Sequence, residues 1–131
     1  MKKVFYIIIC TALFIQCSPR LGFTNLENNT SYGLHGKLTA KEGKGQELSS
    51  ILLEAAKLME SAKGCRLYAV GVDKTYPNEV WVTEIWDNKQ AHDNSLNVLG
   101  VKELIGKAIP ILKGSPQKGK ELEVIGGLGI R

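Results

Sequence analysis

Apolar positions along this chain change their period, and each change marks an element. Tyr32–Ala40, YGLHGKLTA, alternates: Tyr32, Leu34, Gly36, Leu38 and Ala40 share one face, and His35, Lys37 and Thr39 the other. That two-residue period predicts a first strand. Lys41–Gly45, KEGKG, reads as the turn after it. From Gln46 to Ala62 the period lengthens. Leu48, Ile51, Leu52, Ala55, Ala56, Met59 and Ala62 recur at three- and four-residue steps, and Glu47, Glu54, Lys57, Glu60 and Lys63 fill most of the remaining face. This is the pattern of an amphipathic helix. Gly64 follows it, where glycine commonly ends a helix.

Cys65–Val72, CRLYAVGV, and Glu79–Trp86, EVWVTEIW, read as a second and a third strand joined by the turn-forming run DKTYPN. On the third strand Val80, Val82, Glu84 and Trp86 share one face and Trp81, Thr83 and Ile85 the other. Both faces are largely apolar, which predicts a central strand covered on both sides. Asp87 or Asn88 then caps a short helix running to about Leu96. Val98–Leu112 places Val101, Leu104, Ile105, Ala108, Ile109 and Leu112 at helical spacing, with Pro110 disturbing its end. After a loop, Glu121–Ile130 closes as a fourth strand with Leu122, Val124, Gly126, Leu128 and Ile130 on one face. The order βαββαβ is the ferredoxin-like α+β arrangement, an antiparallel sheet with helices on one face. The other face is left bare and carries apolar groups such as Trp81 or Trp86. Two such faces packed together would make a dimeric α/β barrel.

The first residues carry a different message. Met1–Cys17, MKKVFYIIICTALFIQC, sets two lysines before an uncharged apolar run. That is the layout of an export signal, and the run is too short for a spanning helix. The stretch Leu13–Cys17 is similar to a lipoprotein signal ending in a lipidated cysteine, although Gln16 stands where a small residue is usual. Cys17 is therefore the candidate lipidation site, with the protein exported and either periplasmic or anchored in the envelope. Residues 18–31 read as a tether and 32–131 as the domain. Only Cys65 remains among the three cysteines of the chain once the signal is set aside, and it reads as a buried small side chain.

Composition narrows the function classes. The chain has 131 residues, 44% hydrophobic and 23% charged, the balance of one ordinary globular domain. Without Lys2 and Lys3, its basic and acidic side chains number 15 and 13, too even and too scattered for a nucleic-acid footprint. Two distant histidines with no cysteine pair predict no metal site. No glycine fingerprint follows a strand, so no dinucleotide site is expected.

Four segments in order, HGKLTAKEGKGQEL, GCRLYAVGVD, VWVTEIWDNKQAHDNSL and VKELIGKAIPILKG…VIGGLG, resemble the antibiotic-biosynthesis monooxygenase family over about 100 residues. The resemblance implies a dimeric α+β barrel. For characterised members it implies oxygenation of quinols or polyphenolic aromatics with O2 and no cofactor. A related branch handles haem, but its axial histidine falls late in the second helical region, where this chain has Lys102 and Lys107.

The candidate site residues follow from both readings. A tryptophan at the position of Trp86 lines the substrate pocket in relatives, and an aromatic ring there would stack on a planar substrate. Glu84 shares its face; a carboxylate on an apolar face must be paired or have its pKa raised. It is either a proton acceptor or a structural partner. His35 and His92 are the candidate bases, because a neutral imidazole can accept a proton from a phenol. Many relatives place a histidine nearer Ser95, so His92 is a substitute from the neighbouring turn. Tyr68, on the face of Arg66, and Asn94 complete the set as substrate hydrogen-bonding candidates beside Ser95. The expected function is a cofactor-independent monooxygenase of a quinol-like aromatic, acting as a homodimer. The alternatives are an exported ligand-binding module without turnover and, further off, haem handling.

Overall fold

A computed structural model of the chain describes residues 30–130. The expected signal 1–17, its candidate lipidation site Cys17 and nearly all of the tether lie outside them. The order is β1 (Ser31–Thr39), α1 (Gly45–Leu58), a 3-10 turn (Met59–Ser61), β2 (Cys65–Val72), β3 (Glu79–Trp86), α2 (Lys89–Ser95), α3 (Val101–Ala108), a second 3-10 turn (Ile109–Ile111) and β4 (Lys120–Val124). The four strands form one antiparallel sheet in the order β2-β3-β1-β4. Helices cover one face, the ferredoxin-like arrangement expected from the periodicities.

Register decides which side chains enter the core. Tyr32 lies opposite Trp86, Leu34 opposite Glu84 and Leu38 opposite Val80 across β1 and β3. On the other side of β3, Tyr68 lies opposite Glu84 and Val70 opposite Val82. All of these point toward the helices. Val80 meets Leu48 and Leu52 of α1, with Ala40, Val82 and Ala108 close by. A second cluster gathers Met59, Ala62 and Val101 around Trp86.

Loop chemistry holds the helices against the sheet. In the β2–β3 turn, Asp73 accepts the backbone N–H groups of Thr75 and Tyr76 at 2.8 and 2.9 Å. The same turn supplies Asn78, whose side-chain oxygen accepts the Gly45 N–H at 3.2 Å. Lys44 provides no side-chain cap to α1, so this long-range contact takes that place. Of the two residues expected to cap α2, Asn88 does so, accepting the Ala91 N–H at 2.9 Å. Asp87 instead pairs with Arg66 at 2.6 Å, across a β-bulge between Cys65 and Leu67.

Four expectations are corrected. β1 begins at Ser31, so the last residue assigned to the tether belongs to the sheet. β4 stops at Val124 rather than Ile130, because its partner β1 begins at Ser31, the residue paired with Val124. β3 is central, but helices cover only one of its faces. Trp86, offered as one occupant of the bare face, is fully buried on the helix side. The bare face carries Trp81, with Leu67 and Leu122 at 39% and 42% exposure. Among the described residues no helix is long and apolar enough to cross a membrane.

Gly45 and Gly106 separate close approach from open space. A Cβ on Gly45 would run into the Pro77 carbonyl oxygen, whereas one on Gly106 meets nothing within 4 Å. Gly45→Ala is expected to destabilise the fold by about 1–3 kcal/mol. Gly106→Ala, inside an exposed helix turn, is expected to stabilise it by about 0.5–1 kcal/mol. Urea unfolding of both variants checks the pair.

Candidate functional site

Glu84 sits mid-strand on the central strand, on the face the helices cover. Burial there withdraws a carboxylate from water, and the neighbouring groups must compensate. One does so directly: the Trp86 indole N–H donates to Glu84 Oε2 at 2.9 Å. The second is His92, on α2, whose Nε2 stands 3.8 Å from the same oxygen. Burial pushes the Glu84 pKa above its ordinary value of 4.5, and the Trp86 N–H and the charge of His92 hold it back in part. Tyr68, directly across from Glu84 on β2, has its phenol pKa pushed well up by burial first, then by Glu84 and Cys65.

His92 is wedged in place by aromatic rings. It meets Trp86 edge-on, with centroids 5.8 Å apart, and Tyr32 at 5.4 Å. Its Nδ1 lies 3.0 Å from Asp93 Oδ1, and Asp93 is held in turn by Lys89 at 2.8 Å.

These groups close one end of a cavity of about 300 Å³ between α1, α3 and the sheet. Tyr68, Glu84, His92 and Ser95 are its polar lining; Leu38, Ile51, Leu52, Met59, Leu104 and Leu112 are among its apolar lining. Pockets of this size and composition suit small ligands. Around one apolar space the carboxylate or the imidazole can take a proton from a hydroxyl group placed among them, while the Tyr68 phenol, its pKa pushed up, stays protonated and can donate a hydrogen bond. Among the described residues no three His, Cys, Asp or Glu side chains gather into a metal-ligand group.

The structure brings Glu84, His92, Tyr68 and Ser95 together and leaves the other candidates apart. His35 is on the bare face, with Nδ1 2.9 Å from Thr83 Oγ1 and its ring stacked 5.0 Å from that of Trp81. The sheet separates it from His92. Trp86 does not line the cavity; with no exposed surface, it cannot stack on a ligand and instead holds Glu84 from behind. Asn94 is exposed on α2 and accepts from Gln90 at 3.0 Å, outside the cavity. Tyr32 was not singled out from the sequence. Its place on the inward face of β1, paired with Trp86, is the signal that would have put it beside His92.

Residues 31–105 match the family model for antibiotic biosynthesis monooxygenase, more than half of the chain. The chain belongs to that family. Among solved structures, a Chloroflexus aurantiacus J-10-fl protein named after the antibiotic biosynthesis monooxygenases is 35% identical, with a TM-score of 0.69 over 77% of this chain and 99% of that one. A Caulobacter crescentus CB15 protein named in the same way is 20% identical, with a TM-score of 0.66 over 72% of this chain and 90% of that one. A conserved Methanosarcina mazei Go1 protein is 17% identical, with a TM-score of 0.65 over 72% of this chain and 93% of its own. The last two show the fold alone. Among curated proteins no sequence matches significantly.

The raised Glu84 pKa has a thermodynamic sign. The folded chain holds this proton more tightly than the unfolded chain. Stability gained from it is complete below the ordinary value of 4.5 and is lost as pH rises through the folded value. Glu84→Gln keeps an acceptor for Trp86 but cannot ionise. The melting temperature of the variant relative to wild type is expected to rise between about pH 4 and about pH 7. A difference that stays flat or falls over that window contradicts the assignment.

Proposed function

We propose that this member of the family is a monooxygenase that oxidises a quinol-like aromatic with O2 and without a cofactor. The observation that carries the reading is the placing of Glu84, His92 and Tyr68 at one end of an apolar cavity. A phenol directed there would give its proton to Glu84 or His92. The resulting phenolate is electron-rich enough to reduce O2. One oxygen atom enters the ring, and the other leaves as water. The quinol supplies the two electrons for that water by becoming a hydroxyquinone, so no other reductant is needed.

Oxygen uptake with a panel of reduced quinols tests this. His92→Ala and Glu84→Gln are each expected to lower the rate by about 100-fold. His35→Ala, on the far side of the sheet, is expected to leave it within about twofold of wild type. Uptake no faster than quinol autoxidation across the panel would sink the reading. A binding module without turnover is the second reading. It is favoured by Ser95, which stands in the cavity lining near where many relatives place a histidine. Thermal stabilisation by a quinol that is recovered unchanged would establish that alternative.

The reading extends to assembly as a homodimer. Leu67, Trp81 and Leu122 give the bare sheet face an apolar character, and face-to-face pairing would remove it from water. A dimer is expected in analytical ultracentrifugation, converted to monomer by Leu67→Glu combined with Leu122→Glu. A monomeric wild-type chain overturns this.

A further inference from the structure

The cavity has inverted polarity. Its polar groups are its more sheltered ones: Ser95 is 8% exposed, and the Glu84 and His92 side chains 13% and 22%. The lining residues that reach solvent are apolar, with Leu96 at 48%, Ile105 at 41% and Ile109 at 54%. No lysine or arginine is part of the lining. The one group there able to carry positive charge is His92, and it already faces two carboxylates, Glu84 at 3.8 Å and Asp93 at 3.0 Å.

Two consequences follow for a ligand. Its apolar body would cover the rim formed by Leu96, Ile105 and Ile109, and its polar end would meet Tyr68, Glu84 and Ser95. An anionic group at that end would stand beside a buried carboxylate with no free cation to offset it. Charge repulsion at such short range, in a poorly solvated place, is large.

We infer that the cavity is a charge filter: it accepts an uncharged aromatic that turns a single hydroxyl or amine inward toward Glu84, and it rejects the carboxylated or sulfonated analogue. The inference rests on the reading of this cavity as the substrate site, but not on turnover.

Two fluorescent probes of nearly the same shape test it, the neutral N-phenyl-1-naphthylamine and the anionic 8-anilinonaphthalene-1-sulfonate. The wild-type protein is expected to bind the neutral probe at least about tenfold more tightly. Glu84→Gln, which removes the buried charge, is expected to narrow the gap between the two probes by about tenfold. Ala55→Phe, which fills the cavity from α1, is expected to abolish neutral-probe binding. Equal or tighter binding of the anion, an unchanged gap in Glu84→Gln, or neutral-probe binding that survives Ala55→Phe each overturns the inference. So does binding of neither probe. The wild-type comparison stands by itself if a variant does not fold. Because no oxygen chemistry enters the measurement, charge selectivity without quinol-dependent O2 uptake would leave the filter standing and remove only the monooxygenase reading.

Discussion

Register of β3 between its two neighbours is the constraint on which the site depends. Strand side chains alternate with a period of two, so a slip of one residue would exchange the faces. Trp81, Thr83 and Ile85 would then point at the helices, and Glu84 would be turned out with Trp86. The register is held from both sides by inward pairs of apolar residues, Leu38 with Val80 and Val70 with Val82. It is held at the strand end by Trp86 seated among Met59, Ala62 and Val101. Removing a side chain of that size from a core typically costs about 3–5 kcal/mol. The same packing that fixes the fold therefore also aims the carboxylate.

Glu84 then inherits a position that its own chemistry opposes. Desolvation disfavours its charged form, and the indole N–H and the imidazole restore part of the loss. Each of these partners is fixed by something else. Trp86 is held by the core, and His92 by Tyr32, Trp86 and the Asp93–Lys89 pair. Such support from behind is what keeps a reactive group in a single orientation. Tyr68 adds a hydroxyl group from one further strand and Ser95 another from the helix of His92, so the polar end of the cavity draws on β2, β3 and α2 at once.

Much of this was readable from residue order, and the limits have physical causes. Strands β2 and β3 end where their alternation ends, and Asn88 caps α2 as asparagine commonly does, whereas α1 stops at Leu58 and a 3-10 turn ends at Ser61, short of Gly64. The period also assigns a face: Glu84 and Trp86 together, Trp81 opposite. It carries no information about depth. Trp86 belongs to the inward face, but the cavity begins two residues earlier at Glu84, and the ring lies wholly in the core. His35 and His92 look equivalent in one dimension. Only three-dimensional pairing shows a whole sheet between them. The end of β4 was misjudged because alternation continues through Leu128 and Ile130 after the partner strand has run out. A strand needs a neighbour as well as a pattern. The cavity lining escapes a linear reading altogether, since Ile51, Tyr68, Leu104 and Leu112 meet only through tertiary packing.

The two tryptophans sit on opposite sides of one strand, in environments that differ in kind. Trp86 is sealed from water and bonded to an ionisable carboxylate, whereas Trp81 is half-exposed and stacked on His35. An indole in a dry, fixed setting emits toward the blue. An indole against an imidazole is quenched when that ring gains a proton. The chain thus carries two built-in optical reporters, one reading the inner wall of the cavity and the other the bare sheet. Single replacement of either by phenylalanine would let events on the two faces be followed separately, without any attached dye.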